Sequence, residues 1–243
     1  MDFKLRYSQY NERSILIEWP RIIDENILKS ILKFKNKIMN KYIKQKIEII
    51  HTYSSILIIY NFTIENINDK FFELKSLFET QGGDLEIASS TWEIPVCYDE
   101  EFGVDFENFS KEKGLIKQEV VKLHSESIYT VFFIGFLPGF LYLGGLNSKL
   151  HLDRKKTPKF DVKKGAVAIG GEQTGIYPQD SPGGWHIIGQ TPVELFNSLH
   201  EIPCPIQAGD KVKFKSISKP EFIELKDRVS KSKFKLKSIT PNA

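Results

Sequence analysis

Cysteine is nearly absent from this sequence: Cys97 and Cys204 are the only two in 243 residues, and neither belongs to a CxxC or a Cys/His cluster. That spacing excludes a zinc ribbon and a dithiol redox motif and leaves two reduced thiols. An excess of one charge is missing as well. With 34 Lys and Arg against 31 Asp and Glu, the net charge is +3, and no dense basic block alternates with aromatics. Neither feature suits a nucleic-acid partner. Several catalytic signatures are also lacking: there is no GxxxxGK[ST] phosphate loop, no GxGxxG between strand and helix, no GxSxG elbow and no HExxH. Any handling of ATP would therefore use an uncommon route or a partner.

A continuous membrane-spanning run is absent too. Residues 127–148 carry no charge and are long enough to span, but Pro138-Gly139 and Gly144-Gly145 interrupt them. Proline removes a helical hydrogen bond and glycine costs backbone entropy, so the stretch reads as a buried strand, "IYTVFFIGF", followed by a structured loop. At the N-terminus, "MDFKLRYSQYNERSILIEW" places charges where a secretory signal needs an apolar core. A cytoplasmic location is the expectation.

What is present suits an ordinary globular chain: 41% of residues are hydrophobic and 27% charged. The first ninety residues alternate strand-like and helix-like patterns. "FKLRYSQ", "SILIEW", "KIEIIHTY" and "SSILIIYNF" read as strands. One helix follows Asp24 as N-cap, and a second runs from about Asn66 to Thr80, with Gly82-Gly83 ending it and "DLEIASS" as a further strand. Lys29, Lys33 and Lys37 recur every fourth residue opposite the apolar stripe and read as a solvated face. After "STWEIPVCYDEEFG" come two short helices, Asp105 to Lys113 and Lys117 to Ser125. Then follow "GAVAIGG", "TGIYP", "GGWHIIGQT", "DKVKFKSIS" and "EFIEL", short strands punctuated by Gly and Pro, and a polar, basic tail from Asp227 whose last residues are expected to be loose. The expected class is α+β, with an N-terminal α/β sandwich over residues 1–90 and a β-barrel over residues 91–243.

Candidate chemistry gathers in the glycine-rich segments of the second domain. "GFLPGFLYLGG" sets Phe136, Phe140 and Tyr142 beside Pro138 and Gly139, so that aromatic faces can line a pocket while backbone approaches a ligand. Gln173, Thr174 and Tyr177 supply neutral donors and acceptors suited to an amide or lactam. "DSPGGWHIIGQTP" adds Ser181, Pro182, Trp185, His186 and Thr191, with Gly183 and Gly184 able to turn backbone N–H groups toward an anion. Arg154 and Lys159 would suit a carboxylate or phosphate. His124 is the candidate acid or base, and Asp99, Glu100 and Glu101 read as a solvated turn.

In this order and spacing, "GFLPGFLYLGGL", "DRKKTPKFDVKKG" and "GAVAIGGEQTGIYPQDSPGGWHIIGQTPVELF" resemble the KipI/PxpB family, also called allophanate hydrolase subunit 1, and the likeness runs from about Pro95 to Ile217. No metal-binding residues are expected, and the resemblance implies a cyclophilin-like C-terminal barrel. It also implies a PxpB-type role in an ATP-dependent 5-oxoprolinase, with Mg2+ accompanying the ATP and with KipA/PxpC-like and PxpA-like partners. It admits two further roles: inhibition of a sensor histidine kinase, or a carboxyltransferase-like part in urea or allophanate metabolism. One departure stands out. The family commonly has two Pro-Arg pairs where this chain has Asp153-Arg154 and Pro158-Lys159. Lysine keeps the charge but loses the planar fork of arginine.

Overall fold

The computed structural model describes residues 3–80 and 89–239. The chain divides into two compact units, Met1–Ala88 and Ser89–Ala243. Gly82-Gly83 and most of "DLEIASS" lie outside the described residues.

The first unit contains β1 (Arg6–Asn11), β2 (Ser14–Glu18), α1 (Glu25–Lys41), β3 (Ile47–His51), β4 (Ser55–Tyr60) and α2 (Ile67–Glu79). Its four strands form an antiparallel sheet in the order β1-β2-β4-β3. Alternation decides which face is covered: Ile15, Ile17, Ile56, Ile58 and Tyr60 point to one side and bury against Ile27, Ile31, Phe34 and Ile38 of α1 and Leu74 of α2. Asp24 and Asn66 cap the two helices, each accepting from two backbone N–H groups. Lys29 and Lys33 lie on the exposed face, but Lys37 does not simply meet solvent. Its ammonium donates to the carbonyls of Phe78 (3.1 Å) and Thr80 (2.7 Å), where α2 leaves acceptors unpaired.

The second unit begins with β5 (Thr91–Val96), α3 (Phe106–Lys113), α4 (Lys117–Glu126), β6 (Ile128–Ile134), β7 (Leu141–Gly144), β8 (Lys159–Val162) and β9 (Ala166–Gly170). It continues with β10 (Gln173–Ile176), β11 (Ser181–Gly183), β12 (His186–Gln190), β13 (Lys211–Ser216), α5 (Lys219–Ser230) and β14 (Ser238–Ile239). Eight strands form one mixed sheet in the order β12-β9-β10-β7-β6-β13-β5-β14, and β8 with β11 makes a separate two-stranded ribbon. The expected barrel is therefore a sheet without a closing ladder. At one end, β12 meets the chain just after β5, the strand next to the other end, at a bridge in which Cys97 and Gln190 exchange two 2.9 Å hydrogen bonds.

One further expectation fails here for a clear reason. "EFIEL" is helical within α5, because Ser218 and Glu221 form a capping box and Pro220 sits in the first turn, signals that outweigh the β-like composition. Within the basic tail, Ser238 and Ile239 pair with Trp92 and Thr91 of β5, and the last four residues lie outside the described ones. No helix among the described residues is long and apolar enough to cross a membrane. Asp99, Glu100 and Glu101 form a turn, with Asp99 3.8 Å from Lys117 and Glu101 2.7 Å from Lys219.

The period-2 pattern sorts the eight-stranded sheet into two faces. Tyr129, Val131, Leu141, Leu143, Val167, Ile169, Ile176, Ile188, Val212 and Phe214 fill the core beneath α3 and α4. The intervening positions of β9 and the middle of β10 are small: Ala166, Ala168, Gly170 and Gly175. That lets a second cluster of Phe140, Tyr142, Tyr177, Trp185 and Ile187 lie on the other face. A Cβ on Gly170 would sit 2.6 Å from the Trp185 ring, and one on Gly175 would meet the carbonyl of Leu141 at 2.8 Å.

Candidate functional site

The aromatic cluster borders a cavity of about 380 Å³, lined by Phe136, Phe140, Tyr142, Arg154, Lys155, Pro158, Tyr177, Pro182, Gly183, Gly184 and Trp185. Its walls are built locally. After β6 the chain makes a tight reversal in which Phe140 N–H donates to Leu137 O at 3.0 Å, with Pro138 and Gly139 at the two central positions. Gly139 has φ +84, as the second central residue of a type II turn requires, and it packs closely on Phe196. Just before it, Leu137 N–H donates back to Gly135 O, a three-residue turn that holds Phe136 at φ 65. A bulky residue rarely adopts that conformation. It places the Phe136 ring, 63% exposed, edge-on to Phe140 at 5.7 Å.

Phe140 is the hub of the wall. Its ring meets Tyr142, Tyr177 and Trp185 at centroid distances of 4.8, 5.2 and 5.5 Å, the last two nearly perpendicular, a favoured aromatic geometry. Arg154 stands with its guanidinium carbon 5.5 Å from the centre of the Trp185 ring, a cation–π contact that leaves its N–H groups available. Burial raises the phenol of Tyr142 and pushes that of Tyr177 up to about 12, so both are neutral donors at physiological pH. Gly183 closes the corner, because a Cβ there would lie 2.2 Å from the Tyr177 hydroxyl. Gly183→Ala is expected to displace Tyr177 and destabilise the chain by about 1–3 kcal/mol. A thermal melt should show a fall of about 2–4 °C per kcal/mol.

One wall rests on an acidic residue that sequence reasoning missed. Asp105 is almost fully buried at the N-cap position of α3, yet its side chain makes no cap hydrogen bond. It accepts instead from Lys155 Nζ, from Lys159 Nζ at 2.8 Å and from the backbone N–H of Ile187 at 2.9 Å. Burial alone would raise its pKa, but these three donors outweigh burial and hold it below the ordinary carboxylate range.

The expected site residues therefore fall into two groups. Phe136, Phe140, Tyr142, Arg154, Tyr177, Pro182, Gly183, Gly184 and Trp185 share the cavity. Pro138 and Gly139 shape its loop. Lys159 is committed to Asp105 rather than lining the space. Ser181 is buried in the β8–β11 ribbon, and Thr191 lines a different groove near α5. Gln173 lies at the start of β10 with its Oε1 buried and unpaired. His186 donates from Nε2 to Asp153 O at 2.9 Å, beside the cavity loop.

His124 and Thr174 point the other way, into the core. His124 is fully buried, with its ring stacked on Phe214 at 4.5 Å. Thr174 Oγ1 donates its one proton to Ala168 O (3.1 Å), so at 2.9 Å it accepts from His124 Nε2–H, and Nδ1 accepts from the Tyr98 hydroxyl at 2.7 Å. Burial pushes this histidine down to about 3. A neutral ring with both nitrogens occupied in the core is no acid or base for a ligand in the cavity, which corrects the catalytic role expected for it. The spacing carried a warning, since Val120 and His124 stand four apart on one buried face of α4.

Helices on a mixed sheet, with a glycine-lined aromatic cavity on one face of that sheet, give an α+β architecture. The chain belongs to the family described as carboxyltransferase domain, subdomain C and D, whose model matches residues 5–206. It is 32% identical over 237 residues to the B subunit of 5-oxoprolinase from Bacillus subtilis (strain 168), covering 93% of this chain and 99% of that protein. It is also 50% identical over 122 residues to the corresponding 5-oxoprolinase protein of Haemophilus influenzae, covering 50% of this chain and 57% of the relative. Among solved structures, TTHA0988 superimposes with a TM-score of 0.74 at 29% identity, over 86% of this chain. This chain spans 40% of that protein's length.

Proposed function

We propose that this chain is the PxpB-type component of an ATP-dependent 5-oxoprolinase and that the aromatic cavity receives the cyclic amide. The observation that carries the reading is the pairing of full-length similarity to a 5-oxoprolinase component with a small, mostly apolar cavity presenting one uncommitted guanidinium. A flat five-membered ring suits the faces of Phe140 and Trp185, and its carboxylate suits the fork of Arg154. The phenols of Tyr142 and Tyr177 and the backbone of Gly183 and Gly184 face the remaining polar edge.

The cavity's donors do not fit a magnesium nucleotide. Its lining residues include no Asp, Glu, His or Cys side chain that could hold the magnesium of a nucleotide. We therefore assign ATP and its Mg2+ to a partner protein of the KipA/PxpC or PxpA type. Across the whole complex, 5-oxoproline, ATP and two water molecules would give glutamate, ADP and phosphate: one water opens the ring, whose C–N bond breaks as nitrogen takes a proton, and the other accounts for the hydrolysis of ATP to ADP and phosphate. The contribution of this chain is binding and orientation, with neutral dipoles set around the carbonyl.

Reconstitution with KipA/PxpC-like and PxpA-like partners tests the proposal. Glutamate should form from 5-oxoproline plus ATP only when this chain is present. Equal activity without it would reject the reading.

A further inference from the structure

We propose that Asp105 is a positioning residue that clamps the loop carrying Arg154 over the cavity, an inference that rests on the cavity being the substrate site. Aspartate at a helix N-cap ordinarily accepts from the first free N–H groups of the helix. Here that local use is given up: the side chain of Asp105 makes no cap hydrogen bond with α3. The residue faces β12 instead, where its own N–H donates to Ile187 O at 3.0 Å while its carboxylate accepts from Ile187 N–H at 2.9 Å. Asp105 is thus fixed to the strand that begins directly after Trp185. Gly103 permits this approach, since a Cβ there would lie 2.7 Å from the carbonyl of Ile188.

From that fixed point the carboxylate reaches the loop at residues 153–159 twice, through Lys155 and Lys159. Two further contacts hold the same loop: Lys155 N–H donates to Gly184 O at 2.8 Å, and His186 Nε2 donates to Asp153 O at 2.9 Å. Arg154 lies between these attachments and is itself exposed. Its place over Trp185 is therefore set by its neighbours. The Lys155 side chain is only 17% exposed, so water and salt screen its pairing with Asp105 less than they would a surface pair.

Asp105→Asn keeps the size of the side chain and an acceptor for Ile187 N–H but removes the charge that both lysines need. In the isolated full-length chain, hydrogen exchange at residues 153–159 should accelerate about tenfold or more, with the β9–β10 hairpin unchanged. Lys155→Met should give a smaller acceleration, because Lys159 still holds the carboxylate, and the double variant should not exceed Asp105→Asn, which already removes the charge for both pairs. In the reconstituted enzyme, Asp105→Asn should raise the KM for 5-oxoproline about tenfold while kcat changes much less, the signature of a misplaced binding group. Asp105→Glu, which keeps the charge, should recover part of that loss. Unchanged exchange at 153–159, or acceleration spread evenly over the chain, would overturn the proposal. An inactive wild-type complex would reject the 5-oxoprolinase reading instead, with the exchange data still deciding whether the clamp exists.

Discussion

Arg154→Ala should lower kcat/KM for 5-oxoproline by about 10- to 100-fold, the loss expected when one charge-assisted hydrogen bond of about 1.5–3 kcal/mol disappears. The residue is exposed and touches the fold mainly through the face of Trp185, so the thermal midpoint should move by no more than about 2 °C. That separation of activity from stability is what makes this position informative. Replacing Trp185 itself is less clean. It is 5% exposed and packs on Phe140 and Tyr142, so Trp185→Ala would cost about 3–5 kcal/mol of stability as well. Arg154→Lys should recover only part of the lost activity, because an ammonium keeps the charge but cannot grip both carboxylate oxygens at once. Full activity in Arg154→Ala would remove the carboxylate anchor from the account.

The second large effect concerns acid. His124 is neutral in the core, with a pKa of about 3, whereas the same side chain in the unfolded chain titrates near 6.5. Between those values the unfolded state binds the extra proton, so stability rises with pH across that window and is lost as pH falls. Above about 6.5 the group contributes no slope. At about 1.4 kcal/mol per pH unit, the penalty reaches about 5 kcal/mol near pH 3, a large share of the stability of a typical domain. Urea denaturation at several pH values would measure it. His124→Phe keeps a ring against Phe214 and should flatten this part of the profile. It should cost about 1–3 kcal/mol at neutral pH, because the Tyr98 hydroxyl loses its acceptor. An unchanged slope between pH 6 and 4 would show that His124 does not govern the acid response.

Much of the cavity was legible in the sequence, because the same feature that makes a pocket also marks it. Aromatics between glycines, as in "GFLPGFLYLGG" and "DSPGGWHIIG", cannot all pack as ordinary alternating strands, and the close approaches at Gly170, Gly175 and Gly183 are what those glycines permit. The sheet face was not legible. His124 and Thr174 looked like chemistry because both are polar, but they sit on inward positions of α4 and β10, where a paired polar group merely completes the core. Asp105 was hidden for the opposite reason. An aspartate before a helix already has an explanation as a cap, and nothing local shows that its carboxylate is used by lysines some fifty residues away in sequence. "EFIEL" erred through composition alone, although Ser218, Pro220 and Glu221 carried a helix start.

The most direct measurement uses the three tryptophans of the chain. With the protein labelled at the indole nitrogen, each side chain gives its own resonance, and Trp185→Phe identifies the one in the cavity. Titration with 5-oxoproline should shift the Trp185 signal saturably while Trp19 and Trp92, in the two hydrophobic cores, stay in place. The same titration of Arg154→Ala should saturate only at much higher ligand concentration. A Trp185 resonance that does not move, or equal shifts of all three, would contradict the placement of the substrate on the aromatic face of this sheet.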